Sequence, residues 1–295
     1  MRQLIGVSRP KFLTLTLLCI WVAYAISHAR GAQVAALDLL LVTVLGLAGH
    51  ISVNAFNEYF DFKSGLDLNT TPTPFSGGSG TLVKAPSLAN AALTMAVTSL
   101  LLTISSGLWL AWMHGWALLI PGIIGVLVIF TYTQYLNRSP WLCLIAPGVG
   151  FGLCMTLGAA WVFNGQLTAA AWVMAIVMAL LVINLLLLNQ FPDIYADQQV
   201  GRRHFPIAYG VSASAKLFVL FHLAAFLLVP LAVFTEWLSA GALLGLPAII
   251  LLGPLLRGVL KQPARVESDH RLLGLNVAFV HLFPLLSAVG IWLVN

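Results

Sequence analysis

The sequence predicts an all-α polytopic membrane protein with nine transmembrane helices, on three observations. Of its 295 residues 60% are hydrophobic and only 8% charged, with a mean hydropathy of +0.97, whereas a soluble domain carries about 25% charged residues. Apolar runs of the ~20 residues needed to cross a ~30 Å hydrocarbon core recur along nearly the whole chain. The basic residues fall almost entirely in alternate loops, as they do when cytoplasmic loops collect Lys and Arg.

The first run, 11–29, follows Arg2, Arg9 and Lys11. It is too long for a signal peptide, follows "SRPKF" and shows no clear small-residue cleavage site, so it is read as helix 1. Runs at 36–57, 88–112, 116–135, 141–163 and 168–190 come next, then 213–235, 238–260 and 272–293. Lys63 and Lys84 lie between the second and third runs, Arg138 between the fourth and fifth, and Arg202, Arg203 and Lys216 around the entry to the seventh. Arg257, Lys261, Arg265 and Arg271 cluster between the eighth and ninth, and Arg30 alone falls on the other side. An odd number of spans then puts the N-terminus in the cytoplasm and the C-terminus outside. Trp109, Trp112, Trp116, Trp161, Trp172, Trp237 and Trp292 agree, since they sit near predicted outer helix ends, where indoles favour the lipid–water interface. The net charge of +5 is therefore topology and not a nucleic-acid surface. Cys19, Cys143 and Cys154 lie in apolar helices at no metal-ligand spacing and imply packing.

One internal repeat stands out. The second run ends in "NAFNEYFDFKSGLD" and the sixth in "NQFPDIYADQQVGRR". Each places an Asn four residues before an Asp, Asn57 with Asp61 and Asn189 with Asp193, and adds a second Asp, Asp67 or Asp197. Four helices separate the copies, so the chain reads as one domain, 1–295, of two four-helix units, about 10–135 and 140–260, meeting at a central cavity, with a ninth helix added.

Residues at i, i+4, i+7 and i+11 share a helix face. His50, Asn54, Asn57 and Asp61 thus form one stripe, and Asn189, Asp193 and Asp197 a second, where Pro192 is expected to kink the helix and free carbonyl groups. With Glu58, the two motifs hold five of the nine acidic residues, and no Lys or Arg stands at i±4 from Glu58, Asp61, Asp193 or Asp197, Asp67 alone having Lys63 there. Carboxylates so crowded at a low-dielectric boundary call for a cation between them. Asn and Asp oxygens are hard ligands suited to Mg2+, which bridges a few protein oxygens to substrate phosphates. Lys63, Arg138, Arg202 and Arg203, placed by topology at the same face, are candidate diphosphate contacts. Phe56, Tyr59, Phe60, Phe75, Tyr132 and Tyr135 lie near it too, and some of these rings could shield a carbocation. The loop "DLNTTPTPFSGGSGTLVKAPS" reads as a linker or as a lid over the acidic cluster.

Nine spans with Asn/Asp motifs after helices 2 and 6 resemble the UbiA superfamily of intramembrane prenyltransferases over essentially the whole chain. Within it, "N-x-Y-F-D", "G-x-D", "GGSG" and "D-x-x-x-D-x-x-x-G-R" look most like the dihydroxynaphthoate polyprenyltransferases of menaquinone synthesis. That resemblance implies Mg2+-dependent transfer of a polyprenyl chain from its diphosphate to an aromatic acceptor, in the bacterial inner membrane. Asn57, Asp61, Asp67, Asn189, Asp193 and Asp197 would hold metal and diphosphate, with the four Asp catalytic, and Lys63, Arg138, Arg202 and Arg203 would contact phosphate. His50, Asn54, Glu58, Tyr132 and Tyr135 are further pocket candidates. The chain departs from the pattern at Glu58, where relatives more often have Asp, and after helix 4, where the Gly-Glu or Gly-Asp usual near the start of helix 5 is lacking and Pro147 and Gly148 stand nearby instead. Other acceptors remain open: 4-hydroxybenzoate, a haem, a chlorophyllide, a glyceryl-phosphate lipid or an internal double bond. An ion-coupled transporter is the alternative of another class.

Overall fold

The computed structural model describes residues 2–70 and 77–294. Phe75 and the Thr-Pro part of the loop after helix 2 lie outside the described residues, within which all regular structure is helical. Among the described residues nine apolar helices run in order: α1 (Pro10–His28), α2 (Ala36–Ser64), α3 (Pro86–His114), α4 (Trp116–Thr131), α5 (Pro140–Asn164), α6 (Ala169–Asn189), α7 (Phe205–Phe234), α8 (Ala240–Lys261) and α9 (His270–Leu293). Eight are long and apolar enough to cross a membrane. The exception is α4, which from 116 to 131 spans only ~24 Å at 1.5 Å per residue, less than a hydrocarbon core.

Three sequence expectations need correction. Helix α2 does not stop near 57: it runs to Ser64, because the chain stays helical through the acidic motif until Gly65 takes a left-handed conformation with φ 79°. Helix α6 does not kink at Pro192 but ends at Asn189, and a turn leads to a separate short helix, Ile194–Gln199. Pro192 lacks the N–H that would continue the ladder, so a stop satisfies the backbone better than a bend. The seventh helix begins at Phe205, well before 213, but is broken at Gly210, whose φ of 82° no helix accommodates.

Close approach of backbones sets the packing of the second half. A Cβ on Gly152 would stand 2.3 Å from the Ala179 backbone, and one on Gly241 2.0 Å from the Gly290 carbonyl oxygen. Glycine is therefore required where α5 crosses α6 and where α8 crosses α9. Within α5 the segment Gly148–Met155 is π-helical, following Pro147. Buried polar side chains tie the same helices together: Asn184 Nδ2 of α6 donates to the Phe218 carbonyl of α7 at 2.8 Å, and Asn276 Nδ2 of α9 to the Asn184 carbonyl at 3.2 Å. In the first half, Ser52 of α2 donates to the Ala96 carbonyl of α3 at 2.8 Å. Helix α9 packs on α8, α1 and α6 and so closes the bundle on the side away from α4.

Candidate active site

Between the two halves lies a cavity of about 570 Å³. Its polar end is built from α2, the short helices Leu66–Asn69 and Ile194–Gln199, and the segment before α7. Its other walls, from α2, α3, α4 and α5, are almost wholly apolar. On α2 alone the lining runs from Asp61 to Val42, ~28 Å of helix, so one chamber extends from an acidic end across most of a bilayer.

Both repeated motifs reach this chamber. His50, Asn54, Asn57 and Asp61 line it from one face of α2, as a continuous helix dictates. Asn189, Asp193 and Asp197 line it from opposite, but not as one helical stripe. The turn after Asn189 brings the two Asp residues round to the cavity that an unbroken helix was expected to present. Asp67 joins from the helix that starts after Gly65.

Arg202 stands between the motifs. Its Nη1 donates to Asp197 Oδ1 at 2.8 Å and its Nη2 to Asp61 Oδ1. A planar guanidinium can fork between two carboxylates in this way. His204, fully buried, holds Nε2 3.1 Å from Asp197 Oδ2. Burial alone would lower the Arg202 pKa, but Asp61 and Asp197 more than offset it and the net shift is upward. The guanidinium is thus a resident cation for the acid pair.

A second clamp involves Glu58, which is completely buried and does not line the cavity. It accepts from Arg9 Nε at 2.9 Å and Nη2 at 2.7 Å, and from the Ser79 amide and hydroxyl, both at 2.7 Å. Helix α2 turns Glu58 away from Asn57 and Asp61, toward the N-terminal segment and the Gly-Ser loop, so the expected pocket role does not match its position. The loop's Gly78, at φ 75°, comes so close to Asp67 that a Cβ there would stand 2.9 Å from Oδ1. Arg9, left-handed at φ 49°, also lines the cavity. Its pKa is lowered by burial but raised on balance by Glu58, Asp61 and Asp67. Asp67 is pushed up to about 7, first by burial and then by the charges of Asp61 and Glu58.

The other candidates do not converge. Lys63, Arg138, Arg203 and Tyr135 are exposed and line no part of the chamber. Lys63 lies over the Tyr59 ring, 5.7 Å from its centroid, and the Arg203 amide donates to the Asn137 carbonyl at 2.9 Å. Phe56 and Phe60 stack on each other, outside the cavity. Among the described residues the aromatic rings that face it are Phe12, Tyr132 and Phe151, besides the imidazoles of His50 and His204. His50 is fixed by Thr16, whose Oγ1 is 2.9 Å from Nδ1, and by the edge-on ring of Phe151. Arg9, Asn137, Gln190 and His204 line the polar end without having been singled out as site residues. Gln190 lies inside the second motif, His204 just beyond it and Asn137 next to Arg138, so nearness could have suggested these three; Arg9 is distant from both motifs in sequence.

The donor set suits a hard cation. Asp67 Oδ2 and the Oδ1 atoms of Asn137 and Asn189 are buried without a hydrogen-bond partner, and unsatisfied oxygens of this kind are costly unless something fills them. Among the described residues no three His, Cys, Asp or Glu are gathered closely enough to hold a metal by themselves. That is compatible with Mg2+, which takes one or two carboxylates and completes its shell with phosphate oxygens and water.

Bundles of this class have been solved before. The fold is similar to a structure described as concerning digeranylgeranylglyceryl phosphate synthase, with TM-score 0.71 and 19% identity over 99% of this chain and 98% of that one. It is similar to the UbiA homologue of Aeropyrum pernix K1, with TM-score 0.71 and 18% identity over 94% and 97%. A UbiA homologue of Archaeoglobus fulgidus, solved bound to DMAPP and Mg2+, gives TM-score 0.63 and 14% identity over 99% and 100%. Residues 16–280 match the model of the UbiA prenyltransferase family, and the chain belongs to that family. Over 170 residues it is 26% identical to the 1,4-dihydroxy-2-naphthoate octaprenyltransferase of Bacillus subtilis (strain 168), a match covering 57% of this chain and 53% of that protein, so about half of that relative's length.

Proposed function

We propose that the protein transfers a polyprenyl group from an allylic diphosphate to an aromatic acceptor, dihydroxynaphthoate in menaquinone synthesis, at the polar end of the cavity. The observation that carries this is the junction of two acidic motifs and two guanidinium groups with an apolar chamber most of a bilayer deep. Such a chamber suits a ligand with a charged head and a long hydrocarbon tail, since burying each CH2 contributes about 0.8 kcal/mol.

Asn57, Asp61, Asp67, Asn189, Asp193 and Asp197 would hold Mg2+ with the diphosphate, as the family resemblance implies, and the four Asp would be catalytic. When bound, Mg2+ would neutralise charge gathering on the departing diphosphate. Arg202 and Arg9 grip the same oxygens from the chain itself. Lys63, Arg138 and Arg203, at the exposed rim, draw the anion in by their field rather than by contact. Heterolysis of the C–O bond leaves the electron pair on diphosphate and a carbocation on the prenyl group. The ring of Tyr132 faces the cavity beside this end and attracts the cation. An electron-rich acceptor carbon forms the new C–C bond, and the ring regains aromaticity by losing the proton on that carbon or, where the carbon bears the carboxylate of dihydroxynaphthoate, by losing CO2. The named relatives support this reading: one is a dihydroxynaphthoate octaprenyltransferase, and another was solved with DMAPP and Mg2+.

The same reading makes the protein a single domain with nine spans and an internal repeat, its short α4 included. It resides in the bacterial inner membrane with the N-terminus and polar end cytoplasmic and the C-terminus outside.

The test is transfer by purified protein in nanodiscs, using radiolabelled allylic diphosphates, a panel of aromatic and lipid acceptors, Mg2+ or EDTA, and Asp193→Asn as control. Metal-dependent prenylation of dihydroxynaphthoate that disappears in the variant is expected. Diphosphate release without that product would move the assignment to another acceptor, and no consumption of any donor would overturn the prenyltransferase reading in favour of ion-coupled transport.

A further inference from the structure

Two amide side chains at the polar end are not among the six residues assigned to metal and diphosphate. Asn137, in the turn between α4 and α5, is 5% exposed, and Gln190 follows Asn189, the last residue of α6. Both line the cavity, as do Tyr132 and Cys143. Hydrogen bonds join the four into one corner. The Asn137 backbone amide donates to the Tyr132 carbonyl at 3.1 Å, the Tyr132 hydroxyl lies 3.8 Å from Cys143 Sγ, and Gln190 Nε2 donates to the same sulfur at 3.4 Å.

In each side-chain amide the nitrogen is engaged and the oxygen is not. Asn137 Nδ2 donates to the Thr133 carbonyl, which can only accept and so fixes the way this amide faces. What remains are Asn137 Oδ1 and Gln190 Oε1, both buried and both without a hydrogen-bond partner. An amide oxygen left unpaired in the interior is costly, and only a cation or a hydrogen on another group can satisfy it. A cation at this end has Asp67 Oδ2 and Asn189 Oδ1, also unpartnered, within the acidic motifs themselves. Asn137 and Gln190 have instead a phenol and a thiol beside them, neighbours that suit an uncharged ligand carrying hydroxyl groups.

We propose that Asn137 and Gln190 are specificity-determining residues for the acceptor, their free oxygens accepting hydrogen bonds from ring hydroxyls of an aromatic substrate lodged in the corner beside Tyr132. The inference rests on the prenyl-transfer reading and deepens it by naming the feature of the acceptor that is recognised. An arene with hydroxyls supplies both the hydrogens these oxygens lack and the electron density that captures a carbocation. Its quinone supplies neither, so the corner selects the reduced ring.

Equilibrium binding to the purified protein in nanodiscs, under nitrogen so that the diol stays reduced, compares 1,4-dihydroxy-2-naphthoate with 2-naphthoate, which has the same rings and carboxylate but no hydroxyl. The unaltered protein should bind the first at least about tenfold more tightly, because a site built to bond a hydroxyl rejects an analogue lacking it. Asn137→Leu and Gln190→Met, close in size but without the oxygen, should each weaken dihydroxynaphthoate by roughly three- to tenfold and leave 2-naphthoate as it was. Gln190→Glu, which keeps an accepting oxygen, should retain the preference. Equal binding of the two ligands by unaltered protein, a comparison that needs no variant, would overturn the inference, and so would equal losses for both ligands in the variants. Weaker Mg2+-dependent binding of geranyl diphosphate by Asn137→Leu, with the hydroxyl preference intact, would also overturn it, since that oxygen would then serve the metal. Prenyl transfer is assayed on the same proteins. Hydroxyl-dependent binding without consumption of any donor would remove the transfer reading and keep the site, whereas transfer to dihydroxynaphthoate with no hydroxyl-dependent loss in either variant would keep the reaction and remove the site.

Discussion

Glu58 offers the sharpest test of how the polar end is held together. Replacing it by Ala removes the acceptor of four hydrogen bonds, two from Arg9 and two from Ser79. A hydrogen bond to a charged group is worth about 1.5–3 kcal/mol, and at 1.36 kcal/mol per decade the Ser79 amide should exchange with solvent roughly 10- to 100-fold faster. Stranding a buried charge costs about 3–5 kcal/mol, but Arg9 keeps Asp61 and Asp67 nearby and its side chain is 20% exposed, so the global loss should fall near or below ~3 kcal/mol. Hydrogen exchange with mass spectrometry in nanodiscs reads both effects. Protection should drop in the N-terminal segment and the 77–85 region, and the α5–α6 crossing should be untouched. Glu58→Gln, which keeps the shape and loses the charge, should lie between. Unchanged exchange at Ser79 in the Ala variant would refute the view that Glu58 fastens the loop, and uniform loosening of the bundle would refute its local reach.

Three further outcomes follow from the same geometry. Arg202→Gln leaves Asp61 and Asp197 without their shared cation and should lower kcat/KM for prenyl transfer by about 100-fold, ~2.7 kcal/mol; Arg202→Lys should not restore it, because one ammonium cannot fork two carboxylates, and full activity in the Lys variant would contradict this. Gly152→Val forces side-chain atoms into the Ala179 backbone and should destabilise the bundle by about 1–3 kcal/mol or more, seen as unfolding at lower SDS fraction. Asp67, raised from 3.8 to about 7, is favoured as the neutral acid in the metal-free fold; the stability this contributes is complete below 3.8 and is lost as pH rises through about 7. Thermal unfolding in EDTA should therefore lose a pH-dependent component near neutrality in Asp67→Asn, and identical profiles in both proteins would contradict the assignment.

The acidic motifs were legible because they break a rule of membrane sequences: carboxylates at apolar helix ends are costly and stand out. The stripe His50–Asn54–Asn57–Asp61 was readable because one uninterrupted helix carries it. Asn189, Asp193 and Asp197 were placed correctly at the cavity through the wrong local geometry, since a proline followed by polar residues signals a break without saying whether the chain bends or stops. Basic residues misled for a physical reason: the positive-inside bias puts Lys and Arg at this face whether or not they touch a ligand. Lys63, Arg138 and Arg203 follow that bias and remain outside, whereas Arg9, counted only for topology, reaches in.

By itself the sequence determined the solvent in which the chain folds, the order of its apolar helices and the two places where charge is concentrated. These are local properties, set by hydropathy over ~20 residues and by helical periodicity. Only the tertiary structure decided which charges meet. The fork of Arg202 between Asp61 and Asp197, the withdrawal of Glu58 to Arg9 and Ser79, and the close approach of Gly152 to Ala179 all depend on what lies across a gap from residues far away in the chain. A glycine is a packing contact only when a backbone faces it, as at Gly152, and no pattern along the chain shows which backbone that is.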